Sequence, residues 1–156
     1  MSDMKSTLRG DLKEAMKAKD KNRTGTIRML LAAIQEEETK GAKRELGDEE
    51  VLKVIAREIK KRRESAEVYA ANGRQELADA ELAEVEVLRG YQPEQLDDAA
   101  LADLVAEVIA EMDPAPTMKQ MGQVMKQATA RAAGRADGKR LSGAVKSALS
   151  APAGER

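Results

Sequence analysis

Two tyrosines, Tyr69 and Tyr91, are the whole aromatic complement of this chain, which has no phenylalanine and no tryptophan. A sheet protein ordinarily draws on aromatic and β-branched side chains to cover its pleated faces. This chain draws instead on Ala, Glu, Lys, Leu and Arg, the composition of long helices. Its 156 residues, 42% of them hydrophobic, fit one domain or two small ones with a modest core. The expected fold class is all-α.

Apolar residues recur at three- and four-residue spacing along the chain. Leu8, Leu12, Ala15 and Met16 define a first helix over about 4–19. Ile27, Leu30, Leu31 and Ile34, flanked by Met29 and Ala33, define a second over about 23–39. Asp48 is placed to cap a third helix running to about Ala71, with Val51, Leu52, Ile55, Ile59, Ala66 and Tyr69 along one stripe. A fourth, over about 74–89, carries Leu77, Ala80, Val87 and Leu88. Its outer face is acidic: Glu76, Asp79, Glu81, Glu84 and Glu86.

Gly90-Tyr91-Gln92-Pro93 is the clearest boundary, since glycine can close a helix in αL and proline cannot continue one. Beyond it, Asp97 or Asp98 caps a fifth helix carrying Leu101, Leu104, Val105, Val108 and Ile109. Thr117 caps a sixth with Met118, Met121, Val124, Met125 and Ala128 inward. A short last helix carries Leu141, Val145 and Leu149. The expected organisation is an N-terminal helical hairpin domain of about four helices over 1–92, a C-terminal three-helix bundle over 93–150, and a frayed tail over 151–156.

The chain has no cysteine and no histidine. Disulfides, thiolate and imidazole metal sites, and Ser-His-Asp or Cys-His nucleophiles are therefore excluded. A carboxylate magnesium site has no motif behind it, so no catalytic residue, metal or cofactor is assigned. No apolar run approaches the roughly 18 residues of a membrane span, and the N-terminus shows no signal-peptide core. The expectation is a cytoplasmic protein without a membrane partner.

Charge is unevenly placed. Residues 117–146 carry Lys119, Lys126, Arg131, Arg135, Lys139, Arg140 and Lys146 against Asp137 alone. Residues 74–113 carry two arginines against twelve carboxylates. Within the basic stretch, Gly134-x-x-x-Gly138-Lys139-Arg140 looks like a phosphate loop. It is one residue short, has Arg140 where a Ser or Thr would hold magnesium, and follows a helix instead of a strand. A helix-to-helix turn explains it better: Gly134 takes φ > 0, Asp137 accepts backbone N–H groups, and Gly138 allows a second bend. Arg135 either pairs with Asp137 or reaches outward. Turn chemistry does not account for the basic residues, expected as a ring at one end of the bundle. Such a surface suits phosphate backbones. With neither tyrosine near it, RNA would be held by backbone and shape, without base stacking. The run Lys60-Lys61-Arg62-Arg63 reads either as an anion patch or as a solvated face paired to Glu58, Glu64 and Glu67.

Several segments together resemble the GatB/YqeY family across nearly the whole chain. MKAKDKNRTGTIRMLLAAIQEEE is similar to the family's opening helix pair, and residues 48–88 to its long hairpin. Tyr91-Gln92-Pro93-Glu94-Gln95-Leu96 resembles the Tyr-Leu-Pro-x-Gln-Leu junction, with Gln92 in place of Leu. MGQVMK (121–126) and GRADG (134–138) resemble the tail-domain signature. The resemblance implies two helical domains, the second similar to the tail domain of the tRNA-dependent amidotransferase B subunit, which helps hold the tRNA body. It implies a translation-related, tRNA-binding role without catalysis by this chain itself. Two alternatives are an adaptor for an amidotransferase or synthetase complex, and an accessory carbon–nitrogen ligase with glutamine as amido donor.

Overall fold

The structure, a computed structural model, describes residues 3–151, and the tail expected at 151–156 lies outside them except for Ala151. Every regular element among the described residues is helical: α1 Asp3–Lys17, α2 Lys21–Thr39, α3 Asp48–Ala71, α4 Gln75–Arg89, α5 Asp98–Glu111, a 3-10 turn Met118–Gln120, α6 Met121–Ala132 and α7 Gly138–Ser150. The all-α expectation holds. No helix among them is long and apolar enough to cross a membrane. The chain divides into two compact units, up to Gln92 and from Pro93 onward.

In the first unit, α1 packs on α2 and α3 on α4, with α2 also against α3 and α4. Leu8, Ile27, Leu30, Ile34, Leu46, Val51, Val54, Ile55, Ile59, Val85 and Leu88 form its core. Three expectations are corrected here. Met16 and Met29 are about half exposed, at 49% and 53%. Asp48 is the first residue of α3 and not its cap, and its Oδ1 accepts from the Met4 N–H at 3.2 Å, tying α3 to α1. The buried stripe of α4 is Ala78, Val85 and Leu88, while Ala80 is exposed. Alanine lies all around α4, so apolar spacing alone could not set its face.

Buried charge also belongs to this unit. Arg62 is only 4% exposed. It donates to Glu58 Oε1 and Glu84 Oε2, both at 2.8 Å, and so joins α3 to α4. The expected pairing of the Lys-Arg run with Glu58 holds for Arg62, but the solvated face does not, because a four-residue charge run turns through every side of a helix. Lys60, Lys61 and Arg63 are exposed. Lys5 is buried as well, with Nζ 2.6 Å from Glu38 Oε2, which also accepts from the Leu46 N–H at 2.9 Å. At the unit's end the Tyr91 hydroxyl donates to Asp11 Oδ2 at 2.6 Å, and the Arg23 guanidinium lies 5.8 Å from the ring centre. Gly90 is in the αR region, so it does not close α4 through αL as expected.

The second unit packs α5, α6 and α7 pairwise. Leu101, Leu104, Val105, Val108, Ile109, Val124, Ala128, Ala132, Leu141, Val145 and Leu149 form its core. Met118, expected inward, is 44% exposed because its segment is a 3-10 turn and not the start of α6. Asp97 caps α5 by accepting from the Ala100 N–H at 2.7 Å. Thr117 and Gln120 form a reciprocal capping box around the 3-10 turn.

Candidate nucleic-acid interface

The turn between α6 and α7 sets the positions of the basic residues. Ala133 at φ 51° and Gly134 at φ 83° both take left-handed backbone and reverse the chain. Alanine is strained there while glycine is not. Asp137 then caps α7, its Oδ1 accepting from the Arg140 N–H at 2.8 Å. Helix α7 therefore begins at Gly138, and this glycine makes no second bend. The reversal is complete before the chain reaches it, and a Cβ at Gly138 would meet nothing within 4 Å.

The seven basic residues separate into two groups. The arginines are held by their own unit. Arg131 forks onto Glu111 of α5, with Nη1 3.2 Å from Oε1 and Nη2 2.5 Å from Oε2. That pair holds the Glu111 carboxyl below the usual carboxylate range through the Arg131 hydrogen bond. Arg135 curls back on α6 and donates to the carbonyls of Ala132 at 2.8 Å and Arg131 at 3.0 Å, so it neither pairs with Asp137 nor reaches outward. These bonds satisfy carbonyls that the end of α6 would leave without partners. Arg140 donates to the Leu96 carbonyl at 2.7 Å and to Asp98 Oδ1 at 3.0 Å.

The lysines are different. Lys119, Lys126, Lys139 and Lys146 are all exposed and make no ion pair among the described residues. Lys126 lies on the side of α6 opposite Val124, Ala128 and Ala132. Lys139 and Lys146 are seven residues apart on the outer side of α7, about 10 Å along its axis. Lys119 sits on the 3-10 turn at the other end of α6 from the Ala133–Gly134 reversal. The cations are therefore strung along the α6–α7 hairpin and do not form a ring at one end. Antiparallel helices carry residues near both termini to both ends, which linear spacing conceals.

The unit as a whole is bipolar. Over 93–151 its seven cations face eight carboxylates: Glu94, Asp97, Asp98, Asp103, Glu107, Glu111, Asp113 and Asp137. All but Asp137 precede α6, so α5 carries the negative side and α6–α7 the positive one. No group of three or more potential metal-ligating side chains occurs among the described residues. Sequence reasoning singled out no cation outside Lys60–Arg63 in the first unit. It thereby passed over Arg9, Arg28 and Lys43, which stand on three separate elements and come together only in the fold.

The family model for YqeY-like proteins matches residues 5–149, which takes in both helical units and the GRADG turn. The chain belongs to the YqeY-like protein family. Among curated relatives, it is 34% identical over 106 residues to the altered inheritance of mitochondria protein 41 of Lachancea thermotolerans, covering 68% of this chain and 56% of that one. With the protein of the same name from Kluyveromyces lactis it shares 31% over 122 residues, covering 74% and 65%. With that of Saccharomyces cerevisiae it shares 30% over 112 residues, covering 72% and 60%. The aligned part thus spans 56 to 65% of the length of these three relatives. All three are named as mitochondrial proteins. The expectation of a cytoplasmic protein is overturned on that ground. It rested on missing apolar segments, which bear on membrane crossing and not on compartment.

Proposed function

We propose that the C-terminal unit binds folded RNA, tRNA in the first instance, through phosphate contacts from Lys119, Lys126, Lys139 and Lys146, and that the protein acts without catalysis of its own. The observation that carries this reading is the division of labour among the basic residues. The arginines are taken up by Glu111, Asp98 and backbone carbonyls, while the lysines stand exposed without carboxylates. A lysine ammonium on a flexible stem is a point charge suited to phosphates and carries little sequence information.

The acidic α5 supports an oriented complex, because it repels phosphate from one side of the unit while α6–α7 attracts it from the other. The exposed sides of α6 and α7 also carry Gly122, Gly138 and Gly143, where a Cβ would meet nothing within 4 Å, so no bulky side chain keeps a backbone phosphate away there. The arginines act one step back. Arg140 and Arg135 hold the turn and the start of α5 in place, and through them the helices that present the lysines. Titration of total tRNA at several salt concentrations, with the four lysines changed to alanine, tests the proposal. Unchanged affinity in that variant would refute it.

A further inference from the structure

A second basic site lies in the first unit, outside the surface assigned to RNA. A cleft of about 660 Å³ opens between α1, α2 and the connection 40–47. Lys5 and Arg44 in its lining pair with Glu38 and Glu50, and three elements supply the remaining cations: Arg9 from α1, Arg28 from α2 and Lys43 from the connection. Each is exposed, and none forms an ion pair among the described residues. Arg28 donates to the Met16 sulfur at 3.6 Å, a contact that brings no opposite charge.

The rest of the unit makes this unusual. Its other arginines are largely paired: Arg23 with Asp11, Arg44 with Glu50, Arg57 with Glu37, Arg62 with Glu58 and Glu84, Arg74 with Glu76, and Arg89 with Glu86. Only Arg9, Arg28 and Arg63 have no carboxylate among the described residues, and two of these three share one concavity. The carboxylates in the cleft face Lys5, with Glu38 2.6 Å and Glu45 3.6 Å from its ammonium, and Arg9 acts on Glu38 through its field without forming an ion pair. Leu31 supplies apolar wall, and Gln35 and Thr39 supply hydrogen-bonding groups on the same side of α2 as Arg28. Two guanidinium forks and an ammonium beside a partly apolar wall suit an anion with several oxygens. The volume lies in the range of small-molecule sites.

We propose that this cleft binds a small, multiply charged phosphorylated molecule, its phosphate groups held by Arg9, Arg28 and Lys43 and its remainder lying over Leu31. The site shares no residue with the lysine surface of α6 and α7, so the two proposals stand or fall separately.

The test is calorimetric titration of the full chain with inorganic pyrophosphate at constant physiological ionic strength, with tRNA titrated in parallel. The expected result is saturable binding at one site, weakened about tenfold or more, or about 1.4 kcal/mol, when Arg9→Gln and Arg28→Gln are combined. The Lys126→Ala, Lys139→Ala pair should bind pyrophosphate as the wild type does. Should the arginine pair disturb folding, Lys43→Gln gives an independent reading and is expected to weaken binding severalfold. No saturable binding by the wild type would overturn the proposal. So would unchanged affinity in the folded arginine or Lys43 variant, or equal loss in the lysine pair. A loss of tRNA affinity in the arginine variant as large as its loss of pyrophosphate affinity would overturn the small-molecule assignment.

Discussion

Arg140 donates from the first turn of α7 to the carbonyl oxygen of Leu96 at 2.7 Å, binding the GRADG turn to the segment that leads into α5. The backbone repeats the link one step away, where the Leu96 N–H donates to the Arg135 carbonyl at 2.8 Å. Two of the family-like segments, Tyr91–Leu96 and Gly134–Gly138, thus meet through Leu96. Arg140→Ala leaves the Leu96 carbonyl without its charged donor and should cost about 1–2 kcal/mol of stability in the C-terminal unit. Urea unfolding followed by circular dichroism checks this. Because Arg140 is a structural tie here, Lys139→Ala next to it should change stability by less than about 0.5 kcal/mol.

Arg62 offers a sharper case in the first unit. Replacing it with alanine leaves Glu58, itself 8% exposed, without its partner inside the helical layer. Breaking a buried pair from one side costs about 3–5 kcal/mol, whereas replacing both partners with apolar groups of similar size is often nearly neutral. Arg62→Ala should therefore lower the thermal midpoint strongly, and Arg62→Met combined with Glu58→Leu should recover most of the loss. Glu84 keeps partial exposure at 28% and can rehydrate in the double variant.

Stability should fall on acidification through the Lys5–Glu38 pair. Glu38 is held below its ordinary value of 4.5, first by the Lys5 hydrogen bond and then by the Leu46 N–H. A carboxyl with a depressed folded-state pKa stabilises the fold above its unfolded value, and that contribution disappears as pH falls through the folded one. Denaturation midpoints measured from pH 7 down through the carboxylate range should decline in the wild type. Glu38→Gln should be less stable at pH 7 and show a shallower decline.

Much of the helical framework was legible in the sequence, because it depends on local chemistry. Asp97 and Thr117 announce capped starts, and Leu101, Leu104, Val105, Val108 and Ile109 announce a buried face. The roles of charged residues were much less legible, because they depend on what lies opposite. Arg62 and Lys61 are neighbours in one basic run, yet only Arg62 meets Glu58 and Glu84. Arg131 and Lys126 read alike as phosphate contacts, but α5 brings Glu111 to Arg131 and nothing comparable to Lys126. Local rules put Gly134 in the left-handed region as observed, but missed Ala133 beside it and gave a second bend to Gly138, an ordinary first helical residue.

The central claim is that exposed lysines of α6–α7, and not the arginines beside them, hold RNA phosphates. The most direct test is tRNA binding to the full chain and to the Lys119→Ala, Lys126→Ala, Lys139→Ala, Lys146→Ala variant across a series of salt concentrations. The account predicts a wild-type affinity that falls steeply with salt, and a folded variant whose log–log salt slope is smaller in magnitude by about 3, somewhat under one unit per lost phosphate contact. Salt-independent binding by the wild type, or an unchanged slope in the folded variant, would contradict it.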